Sequence, residues 1–229
     1  MSVRFGVLLL ALSGLAACDS VTARVTDGLS QFGVPSDATG EGIRTLALLG
    51  GDVRVRGPDG YCVDQSASNA RRGFAVMAGC AVLSADAPVM PSLNGLITVQ
   101  FGAEGSASVT GNEDYFAEFL KTETGRSLLA QSGDMASISR VETVSDRAGV
   151  LARFEDASGP VIAGTSGPQW RGFLDIDGRL VTVAVLSLDH DDLSRGQGER
   201  LLIVAMAELA EVNAPVEAAA AEVLSEENG

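Results

Sequence analysis

Histidine, lysine and aromatic rings are scarce in this chain, and each shortage closes off a class of function. Its 229 residues include one His (His190), one Lys (Lys121), one Trp and two Tyr. A lone His and three Cys exclude a His-rich or multi-Cys metal centre, so no metal and no cofactor is expected. Sixteen Lys and Arg against 30 acids leave a net charge of −14, which cannot neutralise a run of phosphates; a nucleic-acid partner is not expected. No Gly-x-Ser-x-Gly elbow is present, and one imidazole leaves a Ser-His-Asp set a single candidate base. Gly102-Ala103-Glu104-Gly105 lacks the Lys and Ser/Thr of a phosphate loop. What the chain does have is 46% hydrophobic residues, mostly aliphatic. That suffices for one folded domain of ordinary size with extensions.

Long apolar runs are also missing. The amino terminus carries one charge, Arg4, then an uncharged and mostly apolar stretch over residues 5–17. Thirteen residues are too few to span a hydrocarbon core, which takes roughly 20 as a helix, so the stretch reads as an export signal. Leu15-Ala16-Ala17-Cys18 follows at once. This tetrapeptide resembles the lipobox of bacterial lipoproteins: an aliphatic residue, two small residues and a Cys. The resemblance implies that a diacylglycerol is attached to the Cys18 thiol, that residues 1–17 are cut away, and that the new amino group is acylated. It covers the first 20 or so residues only. The mature chain would begin at Cys18 with 15 basic residues against 30 acids, since Arg4 is the only charge removed. Anchoring would follow from the acyl chains, at about 0.8 kcal/mol per buried methylene. The expected location is the cell membrane or outer membrane, with the domain facing the periplasm; Asp19 tilts this towards the inner membrane.

Cysteine parity agrees with export. With Cys18 lipidated, Cys62 and Cys80 remain, and both lie in strand-like text around a polar stretch over residues 65–73. A disulfide between them is expected, contributing on the order of 3 kcal/mol through loop entropy. No CxxC spacing suggests a redox pair.

Along the chain, residues 1–17 are the signal, 18–42 a lipidated tether, 43–213 the globular domain and 214–229 an acidic tail. Strands are predicted over 52–56, 61–64, 74–83 and 95–101, with Gly57-Pro58-Asp59-Gly60 as a turn and a Gly/Ser-rich loop over 102–111. Asn112 caps a helix whose inner stripe is Phe116, Phe119 and Leu120; Thr124-Gly125 breaks it before a second turn at 127–131. Four strands follow, at 136–144, 149–156, 169–176 and 179–188, the last two joined at the hairpin signal Asp177-Gly178. The strand at 179–188 is apolar on both faces and is expected at the centre of the sheet, covered on both sides. Ser194 and Gln197 announce a final helix over 200–213. The fold class is therefore α+β: a largely antiparallel sheet packed by two helices, in a single domain. The order of elements resembles that of PsbP-like domains, in which an antiparallel sheet lies between helices. No residue motif carries that resemblance and no site is transferred from it.

Candidate chemistry is sparse. Asp189-His190-Asp191-Asp192 gathers three carboxylates and the one imidazole, as a small metal site or an acid/base pair would, but reads more simply as a solvated loop before a helix. Asp175-Ile176-Asp177-Gly178 looks like a calcium-loop fragment and reads as a hairpin tip. Trp170 and Tyr61 read as core residues rather than ligand platforms. The expected function is non-catalytic: a lipid-anchored envelope protein that serves a protein partner or membrane complex. The rival readings are an envelope module for a small apolar ligand and a carboxylate-based hydrolase.

Overall fold

Val181, Val183 and Val185 face one side of a strand, Ala184 and Leu186 face the other, and all five are buried. That strand lies in the middle of the sheet, as the two-sided apolar pattern predicts. The computed structural model describes residues 43–84, 90–160 and 162–215. The signal at 1–17, the lipobox ending at Cys18, the tether through residue 42 and the tail from residue 216 lie outside the described residues.

The elements in chain order are β1 (Thr45–Leu48), β2 (Val53–Arg56), β3 (Tyr61–Asn69), β4 (Phe74–Gly79), a helical turn α1 (Cys80–Leu83) and β5 (Gly95–Phe101). There follow α2 (Glu113–Phe119), α3 (Glu123–Leu129), β6 (Ile138–Asp146), β7 (Gly149–Asp156), β8 (Thr165–Ile176), β9 (Arg179–Leu188) and α4 (Arg195–Val212). Seven strands form one antiparallel sheet in the order β3-β4-β5-β9-β8-β7-β6, and β1 and β2 pair as a separate ribbon. The architecture is α+β. The chain leaves the sheet at β5 and re-enters at the far edge as β6, and that excursion carries α2 and α3.

Each face of the sheet is covered by different elements, because the two-residue period sends alternate side chains to opposite sides. On one face α4 and the β1-β2 ribbon enclose the largest core, with Leu201, Leu202, Ala205 and Leu209 set on Val183, Val185 and Trp170. On the other, Phe116 of α2, Leu120 at its C-terminal end and Leu129 of α3 cover Val150, Phe154 and Phe173. A smaller cluster of Val76, Ala78, Leu96, Ile162 and Leu186 lies on this same face towards β4.

Predicted and observed bounds coincide for β5, β7 and β9, and Asp177 and Gly178 form the β8-β9 tip with φ of 48° and 69°. Several expectations require correction. The polar stretch after Asp64 does not leave the sheet: β3 continues to Asn69 through a bulge. There the Asp64 carboxylate accepts the Ser66 and Ala67 N–H groups (2.8 and 3.1 Å), and the Ser68 hydroxyl accepts the Val76 N–H (3.0 Å). The strand predicted over 74–83 ends at Gly79, where Cys80 turns into α1 and donates its N–H to the Gly60 carbonyl (2.7 Å). The break between α2 and α3 falls at residues 120–122, not at Thr124-Gly125. Thr122 caps α3 by accepting the Gly125 N–H (3.1 Å), and Gly125 is needed because a Cβ there would collide with the Phe119 carbonyl oxygen. β8 begins at Thr165, four residues before the predicted start, with an irregularity between Ser166 and Gln169. The described residues hold four α-helical segments rather than two.

Candidate functional site

The disulfide is formed. Cys62 on β3 and Cys80 at the start of α1 are bonded, with Cα atoms 4.8 Å apart and both residues buried. The register sets this distance: Tyr61 pairs with Gly79 and Cys62 with Ala78, so the turn after Gly79 brings Cys80 back to its partner.

The Asp189-Asp192 stretch is a staple rather than a cluster. Asn94 donates to the Asp191 carboxylate (3.1 Å), Ser166 to that of Asp192 (3.0 Å), and the Asp189 N–H to the Gly164 carbonyl (3.0 Å). His190 is exposed, with its Nδ1 3.1 Å from Asp189. Among the described residues, no three His, Cys, Asp or Glu side chains converge to hold a metal ion. The stretch ties β9 to β5 and β8, where the chain turns into α4.

Asp175 has a role that the sequence did not suggest. Its carboxylate accepts the N–H groups of Ser108, Val109 and Thr110 at 3.0, 2.8 and 2.8 Å, which fastens the Gly/Ser-rich loop to β8. Three backbone N–H groups on one carboxylate satisfy its oxygens without a cation.

Both aromatic candidates are core residues. Tyr61 is fully buried; its hydroxyl donates to the Leu93 carbonyl (2.7 Å) and accepts the Gly95 N–H (3.0 Å), and burial pushes its pKa up to about 12. Trp170 is covered by Gly198 of α4, with the Arg153 guanidinium 5.9 Å from its ring centroid. Arg153 and Arg195 both pair with Glu142, joining β7, β6 and the start of α4.

Sequence reasoning missed Arg171. It stands on β8 facing α3, donates Nη1 to the Leu128 and Leu129 carbonyls (3.1 and 3.0 Å), and lies 5.1 Å from the Phe154 ring centroid. Burial pulls its pKa down to about 10, against the opposing pull of Asp156. Its signal was a cation two residues from Phe173 on the same face of the strand, where the alternation would otherwise place a core residue. The arrangement is an arginine cap on the last carbonyls of α3, which have no partner within their own helix.

A cleft of about 260 Å³ opens beside α4, floored by Leu151 and Leu174 and walled by Ile203, Met206, Ala207 and Ala210. Its rim carries Glu113, Asp146, Arg147 and Asp175. Glu113 accepts the Gly111 N–H (3.0 Å) and Asp146 the Ala148 N–H (2.7 Å). A scan against protein-family models finds no match, and a search of curated proteins finds none. The geometry therefore stands alone. It describes an apolar floor within a rim whose three carboxylates are engaged by backbone amides of the adjoining loops, which suits contact with an apolar group more than proton transfer.

Proposed function

We propose that this chain is a lipid-anchored protein of the bacterial envelope, held by acyl chains on Cys18, whose α+β domain works through non-catalytic interaction with a protein partner. The observation that carries the reading is cysteine parity. Cys62 and Cys80 are bonded to each other, so the remaining cysteine is Cys18, at the end of the lipobox-like tetrapeptide. A structural disulfide suits an oxidising compartment outside the cytosol. Among the described residues no helix is long and apolar enough to cross a membrane, so attachment would fall to the lipid.

The test is metabolic labelling of the full-length protein in a bacterial host with an alkyne analogue of palmitate. Label should enter the wild type, partition with membranes and vanish in Cys18→Ser. A wild-type product that stays in the aqueous fraction with an unmodified thiol at position 18 would overturn the reading. Affinity capture from detergent-solubilised envelope then addresses the partner.

The apolar cleft beside α4 favours a second reading, a module for a small apolar ligand. Native mass spectrometry of the purified protein separates the two, since a co-purified ligand in that cleft would displace the partner-binding reading.

A further inference from the structure

α4 is apolar on two faces, and the sheet accounts for one of them. Leu201, Leu202, Ala205, Met206 and Leu209 are buried against the strands. On the outward side Ile203 and Val204 are 48% and 45% exposed, and Ala207 and Ala210 are exposed with them. This second stripe adjoins the cleft and, through Leu151, the exposed Val144 beside it on β6. Among the described residues nothing covers it. An 18-residue helix that spends apolar side chains on solvent is a departure from the one-sided pattern of a surface helix.

The charges bordering the stripe say what would cover it. Arg200, Val204, Ala207 and Glu211 are spaced four, three and four apart, which sets them on one line along the helix. Arg200 is exposed and has no ion pair among the described residues. Glu211 uses one oxygen on Arg56 (2.9 Å) and is otherwise open, with its side chain 71% exposed. The line thus starts with a cation, ends with an anion and is apolar between them. A pattern of this kind is complementary to itself read backwards. In an antiparallel pair about a two-fold axis between Val204 and Ala207, each Val204 rests on the other copy's Ala207, and each Arg200 meets the other copy's Glu211. The two charges are 11 residues apart, about 16 Å at the helical rise, so the same register satisfies both ends. Shifting the register by one turn either way removes both ion pairs. The small Ala207 lets the axes approach to the 8–10 Å or so of packed helices.

We infer that the outward stripe of α4 is a homodimer interface, with a second copy of this chain bound antiparallel through Val204 on Ala207 and Arg200 on Glu211. The contact is small beside the roughly 800 Å² per partner of a standard interface, so the association is reversible, with a dissociation constant on the order of 0.1 mM.

The test is sedimentation equilibrium of the full-length chain in density-matched detergent. The wild type should dimerise. Ala207→Glu, which places a charge at the centre of an exposed stripe, should weaken the dimer about tenfold or more with an unchanged melting curve. Arg200→Glu alone should weaken it, and adding Glu211→Arg should restore it, which no effect on folding would do. A wild type that stays monomeric at about 1 mM, ten times the expected dissociation constant, would overturn the inference. So would a dimer indifferent to Ala207→Glu, or a double reversal no tighter than Arg200→Glu. If the wild type is monomeric but a chain ending at Pro215 dimerises, the stripe is covered by the chain's own residues 216–229, and the second copy is displaced as the occupant.

Discussion

Gly198 lies against the indole of Trp170: a Cβ built at Gly198 would collide with the ring's Cε2. This contact sets how closely the first turns of α4 approach β8. The Ser194–Gln197 capping box just before it fixes where the helix starts, with the Ser194 N–H donating to the Gln197 side chain (2.9 Å).

Gly198→Ala therefore opposes two effects. Helix propensity favours Ala by about 1 kcal/mol, but a methyl driven into a rigid ring costs about 2–3 kcal/mol in overpacking, so the variant should be less stable by about 1–2 kcal/mol. Thermal unfolding followed by near-ultraviolet circular dichroism reports it through Trp170. A rise in melting temperature would show that the contact relaxes freely.

Arg171→Met keeps an unbranched apolar stem in place of the arginine's and removes the cap from α3. Two carbonyls at the end of α3 lose a charged donor, and the expected loss is about 2 kcal/mol in urea unfolding. Amide exchange should quicken across α3 and leave α4 unchanged. Equal exchange in both helices would show that the effect is not local.

Asp175→Ala deprives three backbone N–H groups of their common acceptor. A loss of about 2–3 kcal/mol is expected, together with faster proteolysis within residues 102–111. An intact loop under limited proteolysis would remove Asp175 from that role.

Opening the Cys62–Cys80 bond by the paired substitution to Ala should cost about 3 kcal/mol, the loop-entropy value for a closure of this length. In the unreduced wild type neither sulfur should react with a thiol reagent under denaturing conditions.

Asp156 supplies an acid dependence. Burial pushes its carboxyl up, but the Ser158 hydroxyl and N–H, Ser137 and the Gln131 N–H outweigh that and hold it at about 2, below its ordinary 3.8. The folded value lies below the unfolded one, so this stabilisation is complete above about pH 4 and disappears as pH falls towards 2. Asp156→Asn should remove it. Discounted for the partial exposure of the group, the wild type should lose about 1 kcal/mol more than the variant between pH 5 and about 2.5. Parallel urea-unfolding curves at the two pH values would refute the assignment.

Legibility in the sequence followed the range of the interactions involved. The bounds of β5, β7 and β9, the Asp177-Gly178 tip and the Ser194–Gln197 cap depend on neighbours in sequence and were visible there. The bulge in β3 was not, because Asp64 and Ser68 occupy backbone groups that a run of polar residues would otherwise give to water. Gly125 looked like a breaker and is instead the clearance between two helices. Asp189–Asp192 read as a solvated loop before a helix, and its hydrogen bonds to Asn94, Ser166 and Gly164, far from it in sequence, were not visible there.

By itself the sequence determined the alternation that makes the strands, the two-sided core strand β9, the pairing of two of the three cysteines and the acidic balance. These are properties of composition and of two- and four-residue periods, which need no knowledge of what lies opposite. Only the tertiary structure decided that Asp175 holds a loop, that Arg171 caps α3 and that Ile203, Val204, Ala207 and Ala210 of α4 face outward. For Asp175 and Arg171 the partner is brought from a distant part of the chain by the fold, and the periodicity of a single segment carries no record of it.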